Sequence, residues 1–262
     1  MEEDMDNIVA SPECEISVVT VCLNAGSDIV DTLKSVRDQS FPGLEHIIWD
    51  GGSEPDSLSK IEHNLHSRAK LHRGVDSGIY DAMNKASTLA SGDFIVFLNA
   101  GDVFLDAGVI DQILRSLRET SADVLCCGVL MVDQNNISIV KRRWRVNQFK
   151  PWFLRFGWMA PHPGLVVRKD LFAALGGFTT KYKISGDYDF QLRLFNQTDS
   201  EKVKVGGLIS TKMRLGGASN GSIGKEILKL KEDISIYQSC YNYWFIGIFF
   251  KKVKFIKQRI GL

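Results

Sequence analysis

The sequence is poor in the features that mark several large protein classes. Only five of its 262 residues are cysteine, at 14, 22, 126, 127 and 240; none are paired as CxxC, and the number is odd. That pattern excludes a disulfide framework and fits the reduced thiols of a cytosolic chain. No apolar run reaches the roughly 18 residues that a membrane span needs. The nearest, Tyr243 to Phe250, is short, aromatic and followed by KKVKFIKQR. The net charge is only +1, which argues against a nucleic-acid partner held by bulk electrostatics. Two phosphate-binding signatures are missing as well. There is no GxGxxG after the first apolar run and no GxxxxGK[ST] anywhere, so a dinucleotide-binding Rossmann site and a P-loop are both poor readings. The opening MEEDMDNIVASPEC is acidic without an apolar core, and is expected to be a tail and not a signal peptide.

What is present fits one large α/β unit. A composition of 44% hydrophobic and 24% charged residues is ordinary for a globular protein, and the length suffices for a full core. ISVVTVCLN (16–24) and residues 93–98 read as buried strands, and LEHIIWD (44–50) and a short run near 69–72 as two more strands. Between them, 27–39, 57–67 and 77–90 have helical spacing, with Ile29, Leu33 and Val36 on one face of the first. Strands alternating with helices predict a parallel sheet of βαβ units, in which ligands bind beyond the carboxyl ends of the strands. Residues 109–119 predict a further helix and 123–132 a strand; LVVRKDLFAALGGF resumes regular structure, and Asp187 opens a helix.

Polar residues gather at those strand ends. Asn99-Ala100-Gly101-Asp102 follows a buried strand. A carboxylate there, among small neighbours, can reach Mg²⁺ or Mn²⁺ beneath a diphosphate; the alternative is an Asx turn capped by Asp102. Asp50, before Gly-Gly-Ser, can accept a base or ribose donor, or simply cap its loop. Asp187 is either an N-cap or a general base. Asp189 is expected to pair with Arg193 at i+4. His162, fixed between Pro161 and Pro163, is either a contact to acceptor or donor phosphate or a structural loop residue. His63 and His66 suit a helix surface better than zinc, and Cys126-Cys127 suits buried packing. MRLGGASNGS (213–222) is either a lid or a connector. The C-terminus, with Trp244, Phe245, Phe249, Phe250, Lys251, Lys252, Lys254, Lys257 and Arg259, is either an interfacial anchor or a helix docked on its own domain.

VVTVCLNAG, IIWDGGS, DSGIYDAMNKA, ASGDFIVFLNAGD, ALGGF and SGDYDFQLRL occur in that order over about residues 15–195. Together they resemble glycosyltransferase family 2, in the branch that builds bacterial O-antigen, colanic acid and other surface polysaccharides. The resemblance implies an α/β GT-A fold with a Rossmann-like, mostly parallel central sheet and a C-terminal helical extension. It also implies a nucleotide-sugar donor, a divalent metal (Mn²⁺ or Mg²⁺), a glycan or lipid-linked acceptor and inversion at the anomeric carbon. By position, Thr20 and Asn24 fall in the loop that meets the nucleotide, Asp50 holds the base, and Asp76 and Asn99 lie at the donor. Asp102 takes the metal and Asp187 is the base. The family's commoner form has acids where this chain has Asn99 and Gly101, and its Gln-x-x-Arg-Trp element of processive synthases is missing; KRRWR (141–145) does not replace it by position. Addition of a single sugar is the resulting expectation, with a catalytically silent nucleotide-sugar-binding subunit as the alternative. The expected division is a tail at 1–14, the transferase domain at 15–222 (donor half 15–105, acceptor half 106–222) and an amphipathic helical segment at 223–262. The expected location is cytoplasmic, at the inner face of the membrane if the C-terminus binds it.

Overall fold

The computed structural model describes residues 14–216, 223–241, 245 and 247–251. Strands β1 (Ile16–Cys22), β2 (Leu44–Asp50), β3 (Ala69–Arg73) and β4 (Phe94–Phe97) alternate with helices α1 (Asp28–Arg37), α2 (Pro55–Glu62) and α3 (Ile79–Ser87). These four strands are mutually parallel, with β1 flanked by β2 and β4. Their carboxyl ends therefore share one edge. All seven residues of β1 are buried, as a strand covered on both faces must be. Its alternation divides the core. Val19 and Val21 pack with α3 and the aromatic side, whereas Ile16 and Val18 pack on the opposite face with Ile110, Ile113 and Leu117.

Those three residues belong to α4 (Val109–Thr120), which follows the two-residue β5 (Val103–Phe104). The second half adds β6 (Val124–Val132), β7 (Val140–Trp144), β8 (Leu165–Arg168) with α5 (Lys169–Ala174), α6 (Gly186–Gln197), β9 (Val203–Arg214) and α7 (Ile223–Cys240). Here the sheet changes character. β8 pairs antiparallel with both β4 and β6, and β9 runs parallel to β6. The full order is β3-β2-β1-β4-β8-β6-β9-β5, with β7 against β6. The expected α/β architecture is present. KRRWR turns out to be largely β7, an edge ribbon paired with Val129–Val132.

The surface placement expected of His66 does not hold, and of the two alternatives for the C-terminus α7 follows the docked helix. His66 is not a free surface residue: it stacks on buried His46, ring centroids 5.4 Å apart. Nor is the C-terminal part separate from the domain. Ile236 and Tyr237 of α7 are fully buried in the main core. The 247–251 segment lies so close to Gly157 (φ +71°) that a Cβ there would sit 2.7 Å from the Lys251 Cβ. Lys251 points inward to Asp233, not to a membrane. Phe245, Phe249 and Phe250 do remain 56%, 63% and 39% exposed. Trp244, Lys252, Lys254, Lys257 and Arg259 lie outside the described residues, as does 217–222 of the Gly-rich loop. Among the described residues no helix is long and apolar enough to cross a membrane.

Candidate active site

A cavity of about 1750 Å³ opens beyond the carboxyl ends of β1 and β4 and runs under α6 and α7. Asp76, Asn99, Asp102, His162 and Asp187 all front it. Strand and helix ends far apart in sequence thus meet at one space, as open α/β sheets require.

Asp102 sits at the end of the β4–β5 turn. Gly101 takes φ +97° there, a conformation that side chains with a Cβ rarely adopt. Asp102 is 7% exposed, and its Oδ1 accepts the Arg214 N–H at 3.1 Å. Burial pushes its carboxyl up to about 7, against the lowering pull of Arg214. Arg214 is itself occupied, donating Nε–H to Gly101 O at 2.9 Å and pairing with Asp31. Beside it, the buried Oδ1 of Asn99 has no hydrogen-bond partner. A desolvated carboxylate next to an orphaned amide oxygen is a donor set that suits a hard cation completed by diphosphate oxygens and water. Among the described residues there is no cluster of three or more acidic, histidine or cysteine groups able to hold a metal without such help.

Asp187 lies in the first turn of α6. Its Oδ1 accepts the Tyr188 N–H at 2.8 Å. The Tyr80 hydroxyl donates to Ile184 O at 2.7 Å and reaches the same Oδ1 at 3.3 Å. Tyr80 belongs to the GIYDAMNKA run, but its contact with α6 is visible only in three dimensions. Burial pushes its phenol far up, so it stays a neutral donor. His162 stacks on Phe97 at 5.6 Å, and neither ring nitrogen has a partner. Burial lowers its proton affinity, with the Asp187 charge opposing, so the imidazole is neutral. Asp76 accepts the Trp49 Nε1–H at 3.2 Å and the Gly78 N–H at 3.1 Å. Asp189 makes the expected pair with Arg193, at 2.9 Å.

Three expected donor-site residues do not front the cavity. Thr20 lies inside β1, fully buried. It donates to Leu98 O at 2.7 Å and lies 2.8 Å from His46 Nε2. With its own proton given to the carbonyl, it accepts from His46; strand alternation turns it into the sheet, not toward a nucleotide. Asn24 stitches the loops after β1 and β2, accepting the Glu54 N–H at 2.8 Å. Asp50 is fully buried, with both oxygens 3.1 Å from the Ser53 N–H and Oδ2 3.0 Å from Arg73 Nε. This is the loop-capping geometry, reinforced by Arg73 from the neighbouring strand β3.

The family profile described as "Glycosyl transferase family 2" matches residues 17–171, and the chain belongs to that family; it is a glycosyltransferase. It is 28% identical over 216 residues to the PGL/p-HBAD biosynthesis glycosyltransferase of Mycobacterium bovis BCG, covering 81% of this chain and 82% of the relative. Its fold is similar to that of Staphylococcus aureus TarS 1–349 in complex with UDP-GlcNAc (TM-score 0.68, 16% identity, 95% of this chain and 73% of that one). A mannosyltransferase of Pyrobaculum calidifontis in complex with GDP-Man and Mn²⁺ is also similar (TM-score 0.63, 13% identity, 87% and 64%). The fold is the GT-A fold.

Proposed function

We propose that the chain moves a single sugar, with inversion, from a nucleotide-sugar donor to a glycan acceptor in surface polysaccharide synthesis, an acceptor that is itself lipid-linked. The observation that carries the reading is that Asp187 and Asp102, 85 positions apart in the numbering, front one cavity. Support for the donor comes from the similar enzymes bound to UDP-GlcNAc and GDP-Man. Support for the setting comes from the mycobacterial relative.

Asp187 accepts the proton of the acceptor hydroxyl as that oxygen attacks the anomeric carbon in line with the leaving nucleoside diphosphate. One displacement inverts the linkage, with no covalent sugar–enzyme intermediate. Asp102 and Asn99 would hold Mn²⁺ or Mg²⁺, which when bound offsets charge on the diphosphate. His162 contacts the acceptor or the donor phosphate with an unpartnered ring nitrogen. Asp76 faces the donor. Thr20, Asn24 and Asp50 act one layer back, holding the loops that shape the nucleotide end. Exposed Phe245 and Phe249 support a peripheral position at the cytoplasmic leaflet, where a lipid-linked acceptor lies.

The test is nucleoside diphosphate release from a panel of UDP- and GDP-sugars, with and without EDTA, using a lipid extract as acceptor. One donor should stand out and EDTA should suppress it. Uniformly absent turnover, with nucleotide binding intact, would favour the silent binding subunit instead.

A further inference from the structure

The segment that presents Asp187 is gripped from the C-terminal side by residues outside every motif described above. Glu232 of α7 is 7% exposed. Its Oε1 accepts the Lys183 N–H at 2.8 Å, and its Oε2 accepts those of Ile184 at 3.0 Å and Ser185 at 2.8 Å. Three consecutive amides on one buried carboxylate fix the backbone that enters α6, and charged acceptors make such bonds about twice as strong as neutral ones. The neighbouring Asp233 lies 2.8 Å from Lys251 Nζ, an ion pair by distance without hydrogen-bond alignment, with side chains 9% and 15% exposed. The same Nζ stands 3.3 Å from the centroid of the Tyr188 ring, and Tyr188 is the residue whose N–H holds the base. Asp233, Lys251 and Asp187 all face the cavity. Burial lowers the proton affinity of Lys251, and the charges of Asp233 and then Asp187 oppose that.

We propose that α7 and the 247–251 segment form a clamp on the base: Glu232 is a positioning residue for Asp187, and the Asp233–Lys251 pair balances the charge around it. This rests on reading Asp187 as the base. Tyr80 from α3, His162 from the turn before β8 and Lys251 act on Asp187 directly; Asp233 and Lys229 of α7 line the same cavity and act on Lys251, and Glu232 of α7 holds the backbone before it. Tyr80 and His162 are neutral, so the charges that matter come from the C-terminal elements.

The pair predicts shifts of opposite sign, which a merely structural role would not produce. The measurement is nucleoside diphosphate release by the full-length chain, from the best donor of the UDP- and GDP-sugar panel, between pH 5.5 and 8.5. Lys251→Met removes a cation beside a carboxylate and favours its protonated form, so the acidic limb of kcat/KM should move up by roughly one pH unit. Asp233→Asn leaves the cation unopposed and should move that limb down. Glu232→Gln should lower kcat about tenfold or more through misplacement of the base, with donor KM and UDP or GDP binding unchanged; Glu232→Asp, which keeps the charge, should recover part of the loss. Limbs that stay put or move together overturn the clamp, as does wild-type kcat in Glu232→Gln. If Glu232→Gln does not fold, the two opposite shifts decide alone. Normal turnover in Asp187→Asn would instead sink the base reading, and wild-type-like clamp variants beside an inactive Asp187→Asn would sink only the clamp.

Discussion

Asp187 and Asp102 are both carboxylates on the cavity wall, but their surroundings prepare them for different work. Asp187 Oδ1 accepts the Tyr188 N–H and lies 3.3 Å from the Tyr80 hydroxyl, whose proton goes to Ile184 O, which leaves Oδ2 for an incoming proton. Asp187→Asn retains the shape and removes the acceptor. Turnover should fall by about 10² or more, the usual scale for loss of a general base, with nucleotide binding little changed; normal turnover would remove Asp187 from the mechanism. Asp102 is deeper, next to the orphaned Asn99 oxygen. Asp102→Ala should weaken Mn²⁺-dependent nucleotide binding by about tenfold or more, measured by calorimetry, and Asn99→Ala by less. Equal binding in Mn²⁺ and in EDTA for the wild type would mean that the site works without a metal. Both aspartates were legible as candidates in the sequence because Asp102 lies in the turn that follows an apolar strand and Asp187 at a helix start with an apolar stripe behind it. Asp50 was legible as a strand-end carboxylate with loop-capping as one of its two readings, the one its bonds to Ser53 match, whereas the role of Thr20 was legible only as a position in a motif. Which way a strand residue faces, and that Arg73 would occupy Asp50, depend on pairing between β2 and β3.

Elements follow the same division. The strands and helices of the first hundred residues were readable because most are buried apolar runs or amphipathic stripes; the half-exposed β3, AKLHR, was legible only as a short piece between two helices. β5 and β7 were not: two residues carry no period, and the arginine-rich β7 is an edge ribbon with exposed faces. What ties β1, β2 and β4 together internally was also hidden. His46 Nε2–H donates to Thr20, which donates to Leu98 O, while His46 Nδ1 accepts from His66 at 3.2 Å. In this arrangement His46 is neutral, and its burial disfavours the charged ring. Burial, then the His66 and Arg68 charges, lowers His46 from 6.5 to about 3. A depressed folded pKa means that this stability is present above about 6.5 and is lost as pH falls toward 3. Below pH 6 the unfolded chain binds one more proton at His46 than the folded one, a slope of about 1.4 kcal/mol per pH unit. His46→Gln can still donate to Thr20 but does not titrate. It should therefore lose less stability than the wild type between pH 7.5 and 5, compared by urea midpoints. Parallel losses in the two proteins would show that His46 is not the titrating group.

At the scale of the whole molecule, the C-terminus has two claims on it, and one truncation separates them. Its Phe245 and Phe249 are exposed, while Phe250 packs edge-to-face on Phe156 and, with Lys251, lines the cavity, and Ile248 packs on the main core. The basic residues that follow would each contribute about 1 kcal/mol near an anionic leaflet, and that part is screened by salt. A chain ending at Tyr241 keeps α7 with Glu232, and keeps the strand ends that carry Asp76, Asn99 and Asp102. It should still bind UDP or GDP with unchanged affinity. It should no longer sediment with anionic vesicles, whereas the full chain should do so less at high salt. Removal of Lys251 also leaves Asp233 buried without its cation beside the base, so turnover should drop even on a water-soluble acceptor. Full turnover with lost vesicle binding would leave the segment as an anchor only. Lost turnover with vesicle binding unchanged would leave it as a wall of the site only. Loss of nucleotide binding as well would show that the packing of Ile248 and Lys251 against the domain is a condition for the fold itself.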